Sequence, residues 1–361
     1  MANAKVHTRH KEYSLLLAAA AAGTLFLLDG TVSAALLVLL NILSIASILY
    51  SAFSVVRHAD VLAHRFGEPY GSLILSLAIV VLEVSLISIL MLSGAAGPTL
   101  MRDTIYSVII IVMAGFIGFA LLLGGYKYKR QFFNFTGIKH FLISIIPLSI
   151  LVLILPTVLG TGRLTAMQLT VVSVACFALY VVFLQIQTGS HREFFVYEHE
   201  DEDDAHHGKP SCHGSPWHFL FLGVHLVAVI GITKLNAGPL NTLLGILNAP
   251  PAFAGFLVAL LILSPEGTGA FRSILRNQVQ RAMNLFLGSV LATISLTVPV
   301  VSLIAVLTGQ EIILGLSPAD CLLMAAAFMV CQTSLTAGET NAHSGAAHVV
   351  LFMMYMALIF S

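Results

Sequence analysis

Of the chain's 361 residues, 58% are hydrophobic and only 9% are charged, against roughly 25% charged in an ordinary soluble domain. The 17 basic and 17 acidic residues balance to a formal net charge of zero at pH 7, so net charge points to no partner. This composition excludes a soluble enzyme, a disordered regulator and a nucleic-acid binder, because no soluble core can hide so much apolar surface.

What remains is an all-α polytopic membrane protein. A helix needs about 20 mostly apolar residues to cross the hydrocarbon, and eleven runs approach that length: 14–28, 31–56, 71–93, 104–126, 138–159, 165–187, 217–236, 251–271, 282–308, 319–336 and 343–360. The first run is the shortest and follows Lys5, Arg9 and Lys11, an order that signal peptides share. No small-x-small cleavage site closes it, so it reads as a true span. Basic residues gather in cytoplasmic loops. With the N-terminus cytoplasmic and the C-terminus periplasmic, 14 basic residues fall inside and only Arg102, Arg163 and Lys234 fall outside.

Span three holds the first unusual residue, Glu83, within LAIVVLEVSLIS. An ionised group at the bilayer centre costs at least about 2.5 kcal/mol, so an acid there is a functional candidate by default. Ser76 lies seven residues earlier, two turns away on the same face. Span four carries Ser107 near its start, and Cys176 lies in span six. The one long connection, 188–216, contains Glu198, Glu200, Asp201, Glu202, Asp203 and Asp204, then His206 and His207. It lacks the glycine and ligand spacing of an EF-hand loop and reads either as a cation-sensing segment or as a solvated linker. Cys212 and His213 follow, without the spacing of a zinc motif.

His225 sits inside span seven, the only histidine near a span centre, and is a candidate proton relay. Span eight holds the second deep acid, Glu266, in LVALLILSPEGTG. Ser264 lies two residues before it, and Pro265 is expected to break the span there, freeing backbone carbonyls. Ser289 and Thr293 lie in span nine. Cys321 and Cys331 complete a set of four cysteines with no disulfide or metal pattern. His343 and His348 lie near the start of span eleven, and position alone assigns them no role.

The linker divides the chain into a tail and leading span (1–30), a five-span repeat (31–187), the acidic, His-rich linker (188–216) and a second five-span repeat (217–361). Glu83 and Glu266 fall in the second span of each repeat. Because five is odd, the second repeat enters the membrane with opposite polarity. Inverted-topology repeats are a recurring plan of secondary transporters, with ion sites near the midplane. Burial favours the protonated form of a carboxyl group and an arriving cation favours the ionised form, so protons and cations compete for the same oxygens. Two carboxylates suit a divalent hard cation, and the expected site is a pair formed by Glu83 and Glu266, with Ser76, Ser107, Ser264, Ser289 and Thr293 as secondary ligands.

The segments RHADVLAHRFGEPYGSLILSLAIVVLEVSLIS (57–88), VYEHEDEDD (196–204), LLILSPEGTGA (260–270), NQVQRAMNLFLGSVLATISLTVPVV (277–301) and AGETNAHSGAAH (337–348) resemble the calcium/proton exchanger branch of the cation/calcium exchanger superfamily. The resemblance spans nearly the whole chain. It implies eleven spans in a bacterial inner membrane, essential glutamates at Glu83 and Glu266, and export of calcium, sodium or potassium in exchange for protons. The chain departs from the branch's Gly-Asn-Ala-x-Glu pattern. Val80 and Leu263 stand where the amide ligand is expected, and Gly288-Ser289-Val290-Leu291-Ala292 lacks the usual glutamine. Thr293, Ser295 and Thr297 are available as replacement oxygens, so monovalent cations stand beside calcium as substrates.

A passive cation channel is the alternative, although a single-chain channel needs a ring of repeated filter elements and only two halves are visible. No HExxH motif, Ser-His pair or paired-aspartate arrangement supports an enzyme, and no P-loop supports a pump. No cofactor is expected. The expected partners are membrane lipids, inorganic cations and protons, with a homo-oligomer open and nucleic acid excluded.

Overall fold

A computed structural model describes residues 12–27, 33–67, 70–94, 97–195, 213–335 and 338–360. Among them are eleven helices of 15 residues or more, beside a single 3-10 turn at Arg192–Phe195. They are α1 (Tyr13–Leu27), α2 (Ala34–Phe66), α3 (Tyr70–Leu92), α4 (Leu100–Tyr128), α5 (Phe135–Val158), α6 (Ala166–Ser190), α7 (Ser215–Ile246), α8 (Pro251–Leu275), α9 (Val279–Thr308), α10 (Pro318–Leu335) and α11 (Ala342–Ile359). Ten are long and apolar enough to cross a membrane. The exception, α1, has 15 residues and rises about 22 Å at 1.5 Å per residue.

Several helices outrun their apolar runs. The apolar part of α2 ends near residue 56, yet the helix continues to Phe66 and stops only at Gly67, whose φ of 66° is a left-handed value that glycine adopts without strain. α7 likewise continues beyond residue 236 and through Pro239. The Pro239 carbonyl there accepts from Asn41 Nδ2 at 3.3 Å.

The helices fall into two contact units, each drawing on both halves of the sequence. The first takes in residues 1–95 and 201–248, hence α1, α2, α3 and α7. Here α2 lies along α7 and buries Asn41, Ser44, Ser47, Ser51, Ser54 and His58, spaced three or four apart so that they share one face. Small hydroxyl residues let helix backbones approach closely. Asn236 Nδ2 donates to Asn41 Oδ1 at 3.3 Å across this packing.

The second unit takes in residues 96–200 and 249–361, hence α4, α5, α6 and α8 to α11. α4 packs on α8 and α11. The α4–α8 contact is close: a Cβ at Gly255 would stand 2.6 Å from the Asp103 Cβ. Phe116, Phe271 and Phe286 form an aromatic core with centroids 5.6–5.7 Å apart. Two short strands, β1 (Gln131–Phe132) and β2 (Glu339–Thr340), pair antiparallel with Gln131 opposite Thr340.

The helix interruption expected at Pro265 is corrected. α8 runs unbroken from Pro251 to Leu275 with Pro265 inside it, since buried neighbours tolerate a single missing N–H in a membrane helix. The irregular turns lie elsewhere. A π segment, Ile111–Phe116, interrupts α4, and another, Thr293–Thr297, interrupts α9. These are the helices that follow α3, which holds Glu83, and α8, which holds Glu266. Further π segments occur at Ile150–Ile154 in α5 and Ile186–Ser190 in α6.

Candidate functional site

In the second unit the site begins at Glu266, which lies on α8 fifteen residues after Pro251. Its neighbours along the helix are apolar or small: Ile262, Leu263, Pro265, Gly267 and Ala270 are all buried. Gly267 receives the Phe116 ring, which would stand 2.7 Å from a Cβ at that position. The aromatic core therefore packs on α8 one residue from Glu266. Ser289 of α9 offers its hydroxyl toward Glu266, while Glu266 Oε2 and Ser289 Oγ remain buried without a closed hydrogen bond. A buried polar atom left unpaired costs about 1–3 kcal/mol. Such a cost is removed when a ligand supplies the missing partner.

α9 extends this polar face. Ser289, Thr293 and Thr297 recur every four residues and are buried. Thr297 Oγ1, together with Ser295 Oγ and Ser302 Oγ, has no hydrogen-bond partner. Thr293 opens the π segment, a kind of turn frequently found at functional sites. The arrangement is one carboxyl group beside a run of neutral hydroxyl oxygens, which suits a hard cation. Thr297 belongs with Ser289 and Thr293 by its four-residue spacing, whereas Ser295, two residues from Thr293, points to another side of α9.

In the first unit Glu83 is fully buried on α3, among Ile79, Val80, Leu82, Val84, Leu86 and Ile87. Ser76 is half-buried on the same helix, about 10 Å along the axis at 1.5 Å per residue.

Other expected residues are placed differently. Ser264, two positions before Glu266, lies about 200° around the helix from it, and its hydroxyl donates to the Leu260 carbonyl. Ser107 donates to the Asp103 carbonyl and accepts from the Tyr355 hydroxyl at 2.6 Å, which ties α4 to α11. His225 is fully buried, with Nε2 2.8 Å from Ser14 Oγ and 3.3 Å from Glu12 Oε2. It belongs to a histidine cluster that its isolated position in span seven did not announce.

His348 acquires a structural role. Its Nδ1 donates to the carbonyl of Met113, inside the α4 π segment, and its Nε2 lies 2.8 Å from Ser334 Oγ. A carbonyl can only accept, so Nδ1 carries a proton, and in the neutral ring Nε2 accepts from Ser334. His343 stands in the first turn of α11, where its N–H donates to the Asn341 side chain at 3.0 Å. The acidic residues Glu198, Glu200, Asp201, Glu202, Asp203 and Asp204, with His206, His207 and Cys212, lie outside the described residues.

Comparison with known proteins places this geometry in context. The family described as sodium/calcium exchanger protein matches residues 36–189 and 217–361. The chain is 56% identical over 366 aligned positions to the sodium-potassium/proton antiporter ChaA of Escherichia coli (strain K12), covering all of both chains. Its fold is similar to that of native YfkE, with a TM-score of 0.73 and 18% identity over 96% of this chain and 99% of that one. It is also similar to the H+/Ca2+ exchanger CAX, with a TM-score of 0.67 and 14% identity over 96% and 88% of the two chains.

Proposed function

Because this chain belongs to the sodium/calcium exchanger family, and is thus a multi-pass membrane transporter rather than an enzyme, we propose that it exports calcium, sodium or potassium in exchange for protons, with Glu83 and Glu266 carrying both. The observation that carries this reading is the Glu266 carboxyl group. It has a buried oxygen lacking a hydrogen bond and lies in the unit that also holds the buried hydroxyls of Ser289 and Thr297, which lack hydrogen-bond partners as well. A proton satisfies the carboxyl group in one state. A cation satisfies it in the other and takes neutral ligands from Ser289, Thr293 and Thr297.

The similarity to a sodium-potassium/proton antiporter supports monovalent cations as substrates, and the loss of the amide positions at Val80 and Leu263 agrees with it. A site poorer in amide oxygens relies more on its carboxylates and hydroxyls. Empty and ionised, either glutamate would carry bare charge through hydrocarbon, which is costly. Only the proton-loaded and cation-loaded forms therefore cross readily during alternating access, and this makes exchange obligatory. We place the transporter in a bacterial inner membrane, with its N-terminus cytoplasmic. Everted membrane vesicles test the reading. Adding sodium, potassium or calcium should release protons from the acidified lumen without an imposed voltage, whereas cation movement driven by voltage alone, with no proton release, would overturn it.

A further inference from the structure

Outside the transport carboxylates, the first unit buries three imidazoles, two of them against a single carboxylate. His58 comes from α2, His218 and His225 come from α7, and all three are fully buried. Glu12 immediately precedes α1. Its Oε1 lies 3.4 Å from His58 Nε2 and its Oε2 lies 3.3 Å from His225 Nε2. One ligand atom from each of Glu12, His58 and His225 lies within 4.8 Å of the others.

We propose that Glu12, His58 and His225 form a binding site for a divalent transition-metal ion of the zinc class, separate from the exchange carboxylates. The donor set carries the first part of the argument. Two imidazoles and a carboxylate are a zinc set, whereas calcium and the alkali cations take oxygen alone. Spacing carries the second. Zinc bonds of about 2.0–2.1 Å at tetrahedral angles put ligand atoms about 3.3 Å apart. Glu12 meets the two imidazoles at 3.4 and 3.3 Å through its two oxygens, and one ligand atom from each of the three residues lies within 4.8 Å of the others, so a modest closing of the side chains brings them to bonding separation. The imidazoles of His58 and His225 meet at 80° with centroids 5.7 Å apart, so they approach the same point from different directions.

The surroundings carry the third part. A metal-bound histidine usually donates its other ring N–H to a neighbour, which fixes the tautomer. His58 Nδ1 lies 2.8 Å from His218 Nδ1. With Nε2 on a metal, His58 carries its proton on Nδ1 and donates it to His218. A cation already stands at this point: Arg57 reaches Glu12 Oε2 at 2.7 Å, and the same nitrogen lies 3.4 Å from His58 Nε2. Arg57 is one-third exposed, so its guanidinium can retire to water and leave the carboxylate to the metal. Ser14 Oγ, 2.8 Å from His225 Nε2, borders the fourth position. An ion held there would join α1, α2 and α7.

The test is zinc titration of the full-length purified protein carrying Glu83→Gln and Glu266→Gln, which removes the exchange carboxylates, followed by X-ray absorption at the zinc edge. One zinc per chain is expected, with two imidazole nitrogens and carboxylate oxygen in its shell. His58→Asn and His225→Asn should each weaken binding about 100-fold, and His218→Asn about tenfold. Arg57→Gln should tighten it roughly two- to five-fold by removing a competing, partly exposed charge. If a histidine variant fails to insert, Glu12→Gln keeps the size of the side chain and should lose zinc binding likewise. Absence of a stoichiometric zinc, a shell without imidazole, or affinity indifferent to His58 and His225 would each overturn the proposal.

Discussion

Glu266 and Ser289 illustrate what a dry site does to polar groups. In water each oxygen has partners, whereas inside the second unit Glu266 Oε2 and Ser289 Oγ have none. If Ser289 supplies a neutral oxygen to the transported cation, Ser289→Ala should raise the apparent KM for the cation two- to ten-fold. That range corresponds to about 0.5–1.5 kcal/mol for one lost contact, with turnover at saturating cation kept. Initial rates across cation concentration check this, and an unchanged KM would remove Ser289 from the ligand set. At this scale the acids were legible in sequence, because Glu83 and Glu266 interrupt long apolar runs and no solvated explanation serves. Nearness in sequence is not nearness in space: two steps of about 100° carry Ser264 to the other side of α8 from Glu266. The grouping of Glu12 with His58 and His225 was not legible, since it depends on three helices meeting.

Helix contacts set the position of the site as firmly as its ligands do. Gly255 lets α8 press against α4, where a Cβ would stand 2.6 Å from the Asp103 Cβ and 2.7 Å from the Asp103 backbone carbon. Backbone cannot yield as a flexible side chain can. Gly255→Ala should therefore force α8 and α4 apart and lower stability by about 1–3 kcal/mol, as thermal unfolding of the purified protein would register. An unchanged unfolding temperature would mean that the contact is not tight. Hydropathy predicted the helices well because spanning segments must be long and apolar, but it missed their polar extensions. The α2 extension from Arg57 to Arg65 and the α7 extension through Pro239 carry charged, polar or helix-breaking residues, and tertiary packing overrides those local signals. The π segments were equally invisible, since five or six residues are too few to separate a wider turn from a regular one. Pro265 shows the converse: a strong local signal for a break that the surrounding packing absorbs.

For the whole molecule, the central consequence is competition between protons and cations. Protonation removes the charge that holds the cation, so acidification should raise the apparent KM for the cation while leaving the maximal rate at saturating cation nearly unchanged. Cation affinity measured from acidic to alkaline pH checks the sign, and a pH-independent affinity would mean separate sites for the two ions. The acidic segment belongs to this scale as well. It lies in sequence between the two segments, 36–189 and 217–361, that match the exchanger family, so neutralising Glu200, Asp201, Glu202, Asp203 and Asp204 together should shift apparent affinity or regulation without stopping exchange. Complete loss of exchange in a correctly inserted variant would assign the segment a direct part in transport. Contact units that mix helices from both halves were not legible in the sequence, because they rest on long-range packing such as that of α2 along α7.

The claim that both deep glutamates carry exchange is the one on which the rest depends. Glu83→Gln and Glu266→Gln preserve size and the capacity to hydrogen-bond while removing the charge and the exchangeable proton. The decisive measurement is cation-induced proton release from everted vesicles containing each variant at matched, membrane-inserted levels. Loss of release to background for sodium, potassium and calcium in both variants is the predicted result, and near-normal release in either one would contradict the account.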